Sequence, residues 1–268
     1  MKRILSVQDL SCMGKCSTTV ALPILSAMGI SCSVLPTAVL STHTGFPNPH
    51  IRPLTEDMVP IARHLKEQGA SFDGILVGYL ANPEQAGAVL EVMETFDCPV
   101  ILDPAMADHG KLYSGMTAEH VSVMRDLASM AEVVLPNLTE ACLLTGLPYT
   151  EQTDGSCLRM MLQSLCRMKT RTVVITGAAS SPEQTGFAGI DAREGMFSYQ
   201  TVKRQKPLHG TGDMFSAVFA GGYLLGKDPM ESATLAAHFV ERVLDYTPES
   251  TPYGGAFESQ LSWLWQQL

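Results

Sequence analysis

Residues 209–213 read His-Gly-Thr-Gly-Asp, and a charge-free apolar run from Met214 to Gly226 follows them. Gly210 and Gly212 carry no Cβ, so backbone N–H groups there can approach an anion closely. A helix opening at this point aims its orphan N–H groups and the positive end of its dipole at the same spot. Such a nest suits a phosphoryl group. Asp213, at its lip, can take a proton from an attacking hydroxyl while the nest stabilises charge on the transferred group. A tight turn with an acid favoured by the dipole alone would carry the same letters. His209 abuts the nest within reach of a phosphate. Histidines at positions such as 43 and 209 are otherwise structural.

Further polar residues stand where β-rich runs end: Gln8 and Asp9, Tyr79, Asp103, Asn137 and Thr176. Open α/β sheets bind ligands outside the carboxyl ends of their strands, so these ends point to one crevice. Asp103, Asp108 and Glu140 offer oxygen ligands of the kind magnesium takes while keeping much of its water. Together with an anion nest and a proton acceptor, they make the set that phosphoryl transfer needs. Two other chemistries are excluded. Gly14-Lys15 is no P-loop, because Asp9 stands five before the glycine and Cys16 follows the lysine; Lys15 reads as a surface or loop lysine. Cys12 and Cys16 are four apart, but no second Cys/His pair has zinc spacing.

The elements that must position these groups alternate. The runs RILSVQ, CSVLPTAVL, GILVGYL, CPVILDP, EVVLPN and RTVVIT are near-continuous apolar strands, separated by helical patterns such as TEDMVPIARHLKEQG and NPEQAGAVLEVMETF. This predicts an α/β fold with a mostly parallel sheet covered on both faces. Residues 185–202 read as an antiparallel hairpin turning at DAREG, near one sheet edge. Helices are predicted over about 211–226, 229–245 and 257–267. The segment STHTGFPNPHIRP, rich in Gly, Pro and Asn, reads as a site loop or flap. Nothing marks a repeat or linker, so 1–268 reads as one domain. The net charge of −9 and pI of about 5.2 exclude a nucleic-acid partner. No apolar stretch approaches membrane length, and no leader is apparent, so a cytoplasmic chain with no membrane partner is expected. Seven scattered cysteines fit reduced thiols. The methionines read as core filler, and Trp263 and Trp265 dock either the last helix or a subunit contact.

GTGD opening an apolar helix near the C-terminus resembles the ribokinase-type small-molecule kinases. More narrowly, ILSVQDLSCMG, STHTGF, VGYL, ILDPAMAD and PNLTEACLLTG are similar in order and spacing to the pyridoxal kinases. The resemblance implies a ribokinase-like three-layer sandwich: a mostly parallel central sheet, helices on both faces and an antiparallel edge hairpin. It implies transfer of phosphate from ATP to the 5′-hydroxyl of pyridoxal, pyridoxine or pyridoxamine. Asp213 would be the base, with Gly210, Thr211 and Gly212 as the nest. Asp9, Thr44, Gly45 and Tyr79 would line the vitamin pocket. Asp103 and Glu140 would organise Mg2+ and the ATP phosphates, largely through water, with K+ as a further ion left open. Asp108 falls in the segment matching a lid over the phosphates. Asn137, Thr176, Val202, Pro207 and His209 would border the nucleotide. The family is usually a homodimer. Two departures stand out: Asp9 replaces the family's serine, and MGKCS replaces its histidine-and-glycine continuation. QDLS echoes an acid-bearing stretch of the hydroxymethylpyrimidine kinases, which keeps the pyrimidine substrate as the alternative. That branch usually has cysteine where Asp213 stands. A catalytically silent vitamer-binding protein is the reading from another class.

Overall fold

The structure is a computed structural model that describes residues 1–150, 154–168, 170–204, 208–248, 251 and 253–268. It divides into two compact units, Met1–Pro99 with Lys206–Leu268, and Val100–Gln205.

The first unit begins β1 (Arg3–Ser11), α1 (Thr18–Ala27), β2 (Ser31–Leu40), β3 (Ile51–Pro53), α2 (Thr55–Glu67), β4 (Gly74–Val77) and α3 (Gln85–Phe96). Its strand order is β4-β1-β2-β3. The central β1 runs parallel to both β2 and β4, and short β3 turns back antiparallel along the end of β2. All four residues of β4 are buried, as is Ile4 to Asp9 of β1, which is why these runs read as unbroken apolar stretches.

The second unit holds β5 (Val100–Leu102), β6 (Ala107–Asp108), β7 (Lys111–Leu112), α4 (Ala118–Ala128), β8 (Val133–Val134), α5 (Leu138–Thr145), α6 (Gly155–Cys166), β9 (Thr172–Thr176), β10 (Gln184–Asp191) and β11 (Gly195–Val202). Its strand order is β11-β10-β9-β8-β5. β5, β8 and β9 are parallel. β10 and β11 form the expected antiparallel hairpin, paired from Gln184↔Val202 to Asp191↔Gly195, and β10 also runs antiparallel to β9. β6 and β7 make a separate two-residue ladder that periodicity did not announce, because two residues are too few to show a period.

The chain then adds α7 (Thr211–Leu224), α8 (Pro229–Tyr246) and α9 (Leu261–Trp265) to the first unit. Every residue of α7 from Met214 to Gly222 is buried, which is the fate of a helix apolar on all sides. α8 starts where its sequence says it should: Asp228 accepts from Glu231 N at 2.7 Å, Glu231 reaches back to the Asp228 N–H, and Pro229 fills the first turn. The last predicted helix is shorter than expected. Phe257–Gln260 form a 3-10 turn, and only α9 continues it. No helix among the described residues is long and apolar enough to cross a membrane.

Candidate active site

In the first unit, Gly210 occupies the N-cap of α7 in the left-handed region, φ 82° and ψ 6°. A methyl group there would overlap the Lys15 carbonyl oxygen, so glycine is required on both counts. Met214 N closes the first turn on Gly210 O at 2.9 Å. Asp213 is then the third residue of α7, half-buried at the positive end of its dipole. Gly212 differs from Gly210. It is exposed, its φ is not left-handed, and nothing lies within 4 Å of where a Cβ would stand. The expected nest thus pairs a glycine that shapes the turn, Gly210, with one that leaves open space, Gly212.

At the end of β1 the register to β2 slips between Gln8 and Leu10, from Gln8↔Pro36 to Leu10↔Val39. Asp9 faces two residues of β2, Thr37 and Ala38, so the bulge lies on β2 opposite it. Only 3% of Asp9 is exposed. Ser11 Oγ donates to its carboxylate at 3.2 Å, and the Ser17 hydroxyl also bonds it. Burial pushes the Asp9 carboxyl above its ordinary range, and these hydroxyls offset the rise in part. Ser17 takes φ 46° and ψ −127°, a conformation costly for a residue with a Cβ.

Tyr79 is buried just beyond β4, and burial, then the Asp9 carboxylate, push its phenol up to about 12. Its carbonyl accepts from Thr37 Oγ1 at 2.8 Å. The Cys16 thiol donates to Ser11 Oγ at 3.4 Å. Burial raises its pKa most, and the carboxylates of Asp213 and Asp9 add to the rise. Cys16 thus stays a neutral thiol within electrostatic reach of both acids. The Asp9 carboxylate acts on both Tyr79 and Cys16, and the Asp213 carboxylate on Cys16.

The segment expected to be a site loop or flap lies on the same unit. Gly45 N donates to His43 Nδ1 at 3.0 Å, and the His43 ring is 4.6 Å from that of His209 and 4.7 Å from that of Phe46. A Cβ at Gly45 would stand 2.5 Å from His209 Cε1. Thr44, between His43 and Gly45 in the chain, is half-buried. Lys15, read as a loop lysine, is anchored: its Nζ lies 2.7 Å from Glu258 Oε2.

In the second unit the acids gather around the start of α5. Asn137 Oδ1 accepts from Glu140 N at 3.0 Å, and Glu140 Oε2 accepts from Asn137 N at 2.8 Å. Glu140 Oε1 accepts from Met106 N at 3.0 Å, and Asn137 Nδ2 donates to Ala107 O at 2.7 Å. This capping box therefore also ties down the segment leading into β6. Glu140 and Asp103 are both buried. Burial first, then the Asp103 carboxylate, hold Glu140 well above the ordinary carboxylate range. Thr176 joins this end of the sheet, its N–H donating to Pro136 O at 2.9 Å. The turn between β6 and β7 has positive φ at His109 (49°) and Gly110 (74°), and Gly110 N donates to Thr139 Oγ1 at 3.0 Å. Asp108 is held on its outer side, its side chain 51% exposed. Val202 is 70% exposed at the end of β11. Pro207 lies outside the described residues.

The expected site residues thus fall into two sets, one in each unit. Sequence reasoning missed Ser11, Cys16, Ser17 and Thr37. It also missed Gln85, which accepts from Ala81 N at 2.8 Å and donates to Thr37 O at 2.6 Å, bracing the turn after Tyr79. The spacing of Asn82 and Gln85 just before an apolar helix was the signal for Gln85. A serine in a glycine-like conformation has none. The pair Asp103 and Glu140 suits magnesium: a divalent cation would offset both the burial and the Asp103 repulsion that raise Glu140. Both Glu140 oxygens already accept backbone N–H groups, which favours contact through water over direct ligation.

The phosphomethylpyrimidine kinase family model matches residues 22–257. The chain is 30% identical to a pyridoxine/pyridoxal/pyridoxamine kinase of Bordetella pertussis, an alignment covering 92% of this chain and 90% of that one. A Bacteroides thetaiotaomicron structure, assigned as a phosphomethylpyrimidine kinase and crystallised with pyridoxal, superposes with TM-score 0.93 at 31% identity, covering 99% of this chain and 96% of that one. The pyridoxal kinase of Lactobacillus plantarum superposes with TM-score 0.90 at 28% identity, covering 100% and 98%. By family match and by identity over nine-tenths of its length, this chain belongs to the pyridoxal and phosphomethylpyrimidine kinase family of the ribokinase-like superfamily.

Proposed function

We propose that the chain phosphorylates the 5′-hydroxyl of pyridoxal, pyridoxine or pyridoxamine with ATP. The observation that carries this is the start of α7: a left-handed Gly210, open space at Gly212 and a half-buried Asp213 beside them. Asp213 Oδ accepts the hydroxyl proton as the hydroxyl oxygen attacks the γ-phosphorus, and ADP leaves. The N–H groups at 210–212 hold charge on the transferred group. Thr211 and His209 border the phosphates. Asp9, Thr44, Gly45 and Tyr79 hold the vitamer. Asp103 and Glu140, with Asp108, Asn137, Thr176, Val202 and Pro207 along the nucleotide, position ATP. Mg2+ bound near Asp103 and Glu140 would neutralise phosphate charge. We further propose one catalytic domain over 1–268, a cytoplasmic homodimer and an open requirement for K+.

The family model's description, phosphomethylpyrimidine kinase, favours one second reading, a pyrimidine substrate such as hydroxymethylpyrimidine. ADP release measured with each B6 vitamer and with hydroxymethylpyrimidine separates the two, and turnover of none would sink both. Asp213→Asn keeps size but cannot take the proton. It is expected to lose at least about 100-fold in kcat while still binding ATP. Turnover within a few-fold of the parent would remove Asp213 from the base role.

A further inference from the structure

One short stretch near the C-terminus, Tyr253–Glu258, touches three loops of the first unit. Tyr253 O accepts from Lys15 N at 2.7 Å. Lys15 Nζ meets Glu258 Oε2 at 2.7 Å and lies 5.4 Å above the Phe257 ring. The Tyr253 ring stands 6.4 Å from Phe46 of the flap. Gly254 has φ 119°, and a Cβ there would come within 2.9 Å of Lys15 Cβ and 3.1 Å of His209 O. A Cβ on Gly255 would come within 2.9 Å of Met214 Cε, on the helix that carries Asp213. Lys15 is therefore gripped by both its main chain and its side chain. Its carbonyl lies where a Cβ of residue 210 would be. Gly210, the N-cap of α7, has no side chain with which to cap the helix.

We infer that Tyr253–Glu258 is a strap that holds Lys15 in place. Lys15 is then a positioning residue for phosphoryl transfer, its carbonyl setting the left-handed turn at Gly210 from which Asp213 projects. This rests on the reading of Asp213 as proton acceptor. An ion pair whose acid side chain is 56% exposed adds little to stability. A displacement of about 1 Å at a reacting group costs on the order of 100-fold in rate. The pair should accordingly show in kcat and hardly in Tm.

The test measures kcat, both KM values and Tm on the full chain. Lys15→Met is expected to lower kcat on the order of ten-fold with both KM values within about two-fold of the parent. Glu258→Gln should act in the same direction. The double variant should be no worse than Lys15→Met, because both changes break one contact. Lys15→Arg should retain kcat. Gly254→Ala, which pushes Lys15 and His209 apart, should lose on the order of 100-fold. Should it fail to fold, Lys15→Met and Glu258→Gln decide. Lys2→Met, which removes the exposed Lys2–Asp73 pair, is the unchanged control. Unaltered kcat in Lys15→Met would overturn the inference. So would a raised KM for ATP at constant kcat, which would make the ammonium a phosphate ligand. A parent that phosphorylates no vitamer sinks the functional reading, whereas an active parent with indifferent variants sinks only the strap.

Discussion

The two glycines of the proposed nest differ in conformation and surroundings, and substitution separates them. At Gly210 alanine meets a left-handed φ that costs about 1–3 kcal/mol and a carbonyl with no room to yield, so Gly210→Ala should lower Tm and activity together. At Gly212 the backbone is helical and the neighbouring space is empty. Gly212→Ala should leave Tm equal or higher and raise the KM for ATP. Unchanged kinetics would show that the space at Gly212 holds no phosphate. Asp9 makes a prediction of another kind. Its folded pKa is raised, so between the unfolded and folded values the folded chain binds more protons. Stability is therefore lost as pH rises through that window. Asp9→Asn removes this loss. Without ligand, it is expected to melt at or above the parent at pH 7, with the gap closing as pH falls toward the ordinary carboxylate range. A gap independent of pH would contradict this account.

At the scale of elements, helix starts do most of the positioning. The box at Asn137 and Glu140 begins α5 and also holds the chain entering β6. Asn137→Ala should cost about 1–2 kcal/mol by denaturant midpoint, a typical capping loss, and should weaken ATP binding as that segment loosens. A stability loss with unchanged ATP affinity would confine the box to a structural role. The box was legible in PNLTE, since an asparagine three before a glutamate ahead of apolar residues is a helix-start signature. The bulge of β2 opposite Asp9 was not legible, because a one-residue slip depends on how β2 lies beside β1.

For the whole molecule, ligand linkage tests the nucleotide reading without turnover. A ligand that binds only the folded chain at about 100 times its Kd adds roughly 2.7 kcal/mol. ADP with magnesium is expected to raise Tm, and EDTA should remove most of that gain. Asp103→Asn should blunt it. A melt indifferent to ADP would leave the second unit's acids without their proposed ligand. The vitamer alone should raise Tm in Asp213→Asn, since that variant keeps the pocket and loses only the proton acceptor.

By itself the sequence determined the element types and the main chemistry. Near-continuous apolar strands between amphipathic helices specify a parallel α/β sheet, and the charge-free run after Asp213 specifies a buried helix with an acid at its start. These signals are local, carried by periodicity and by residues a few positions apart. Only the tertiary structure decided which loop shapes the nest. Lys15 meets Glu258 across 243 positions, and its carbonyl dictates glycine at 210. The same holds for Cys16, placed between the reach of Asp9 and Asp213, and for Ser17 in a glycine-like conformation. Such contacts join segments far apart in the chain, and no local pattern of residue types encodes a distance that exists only after the strands and helices have packed.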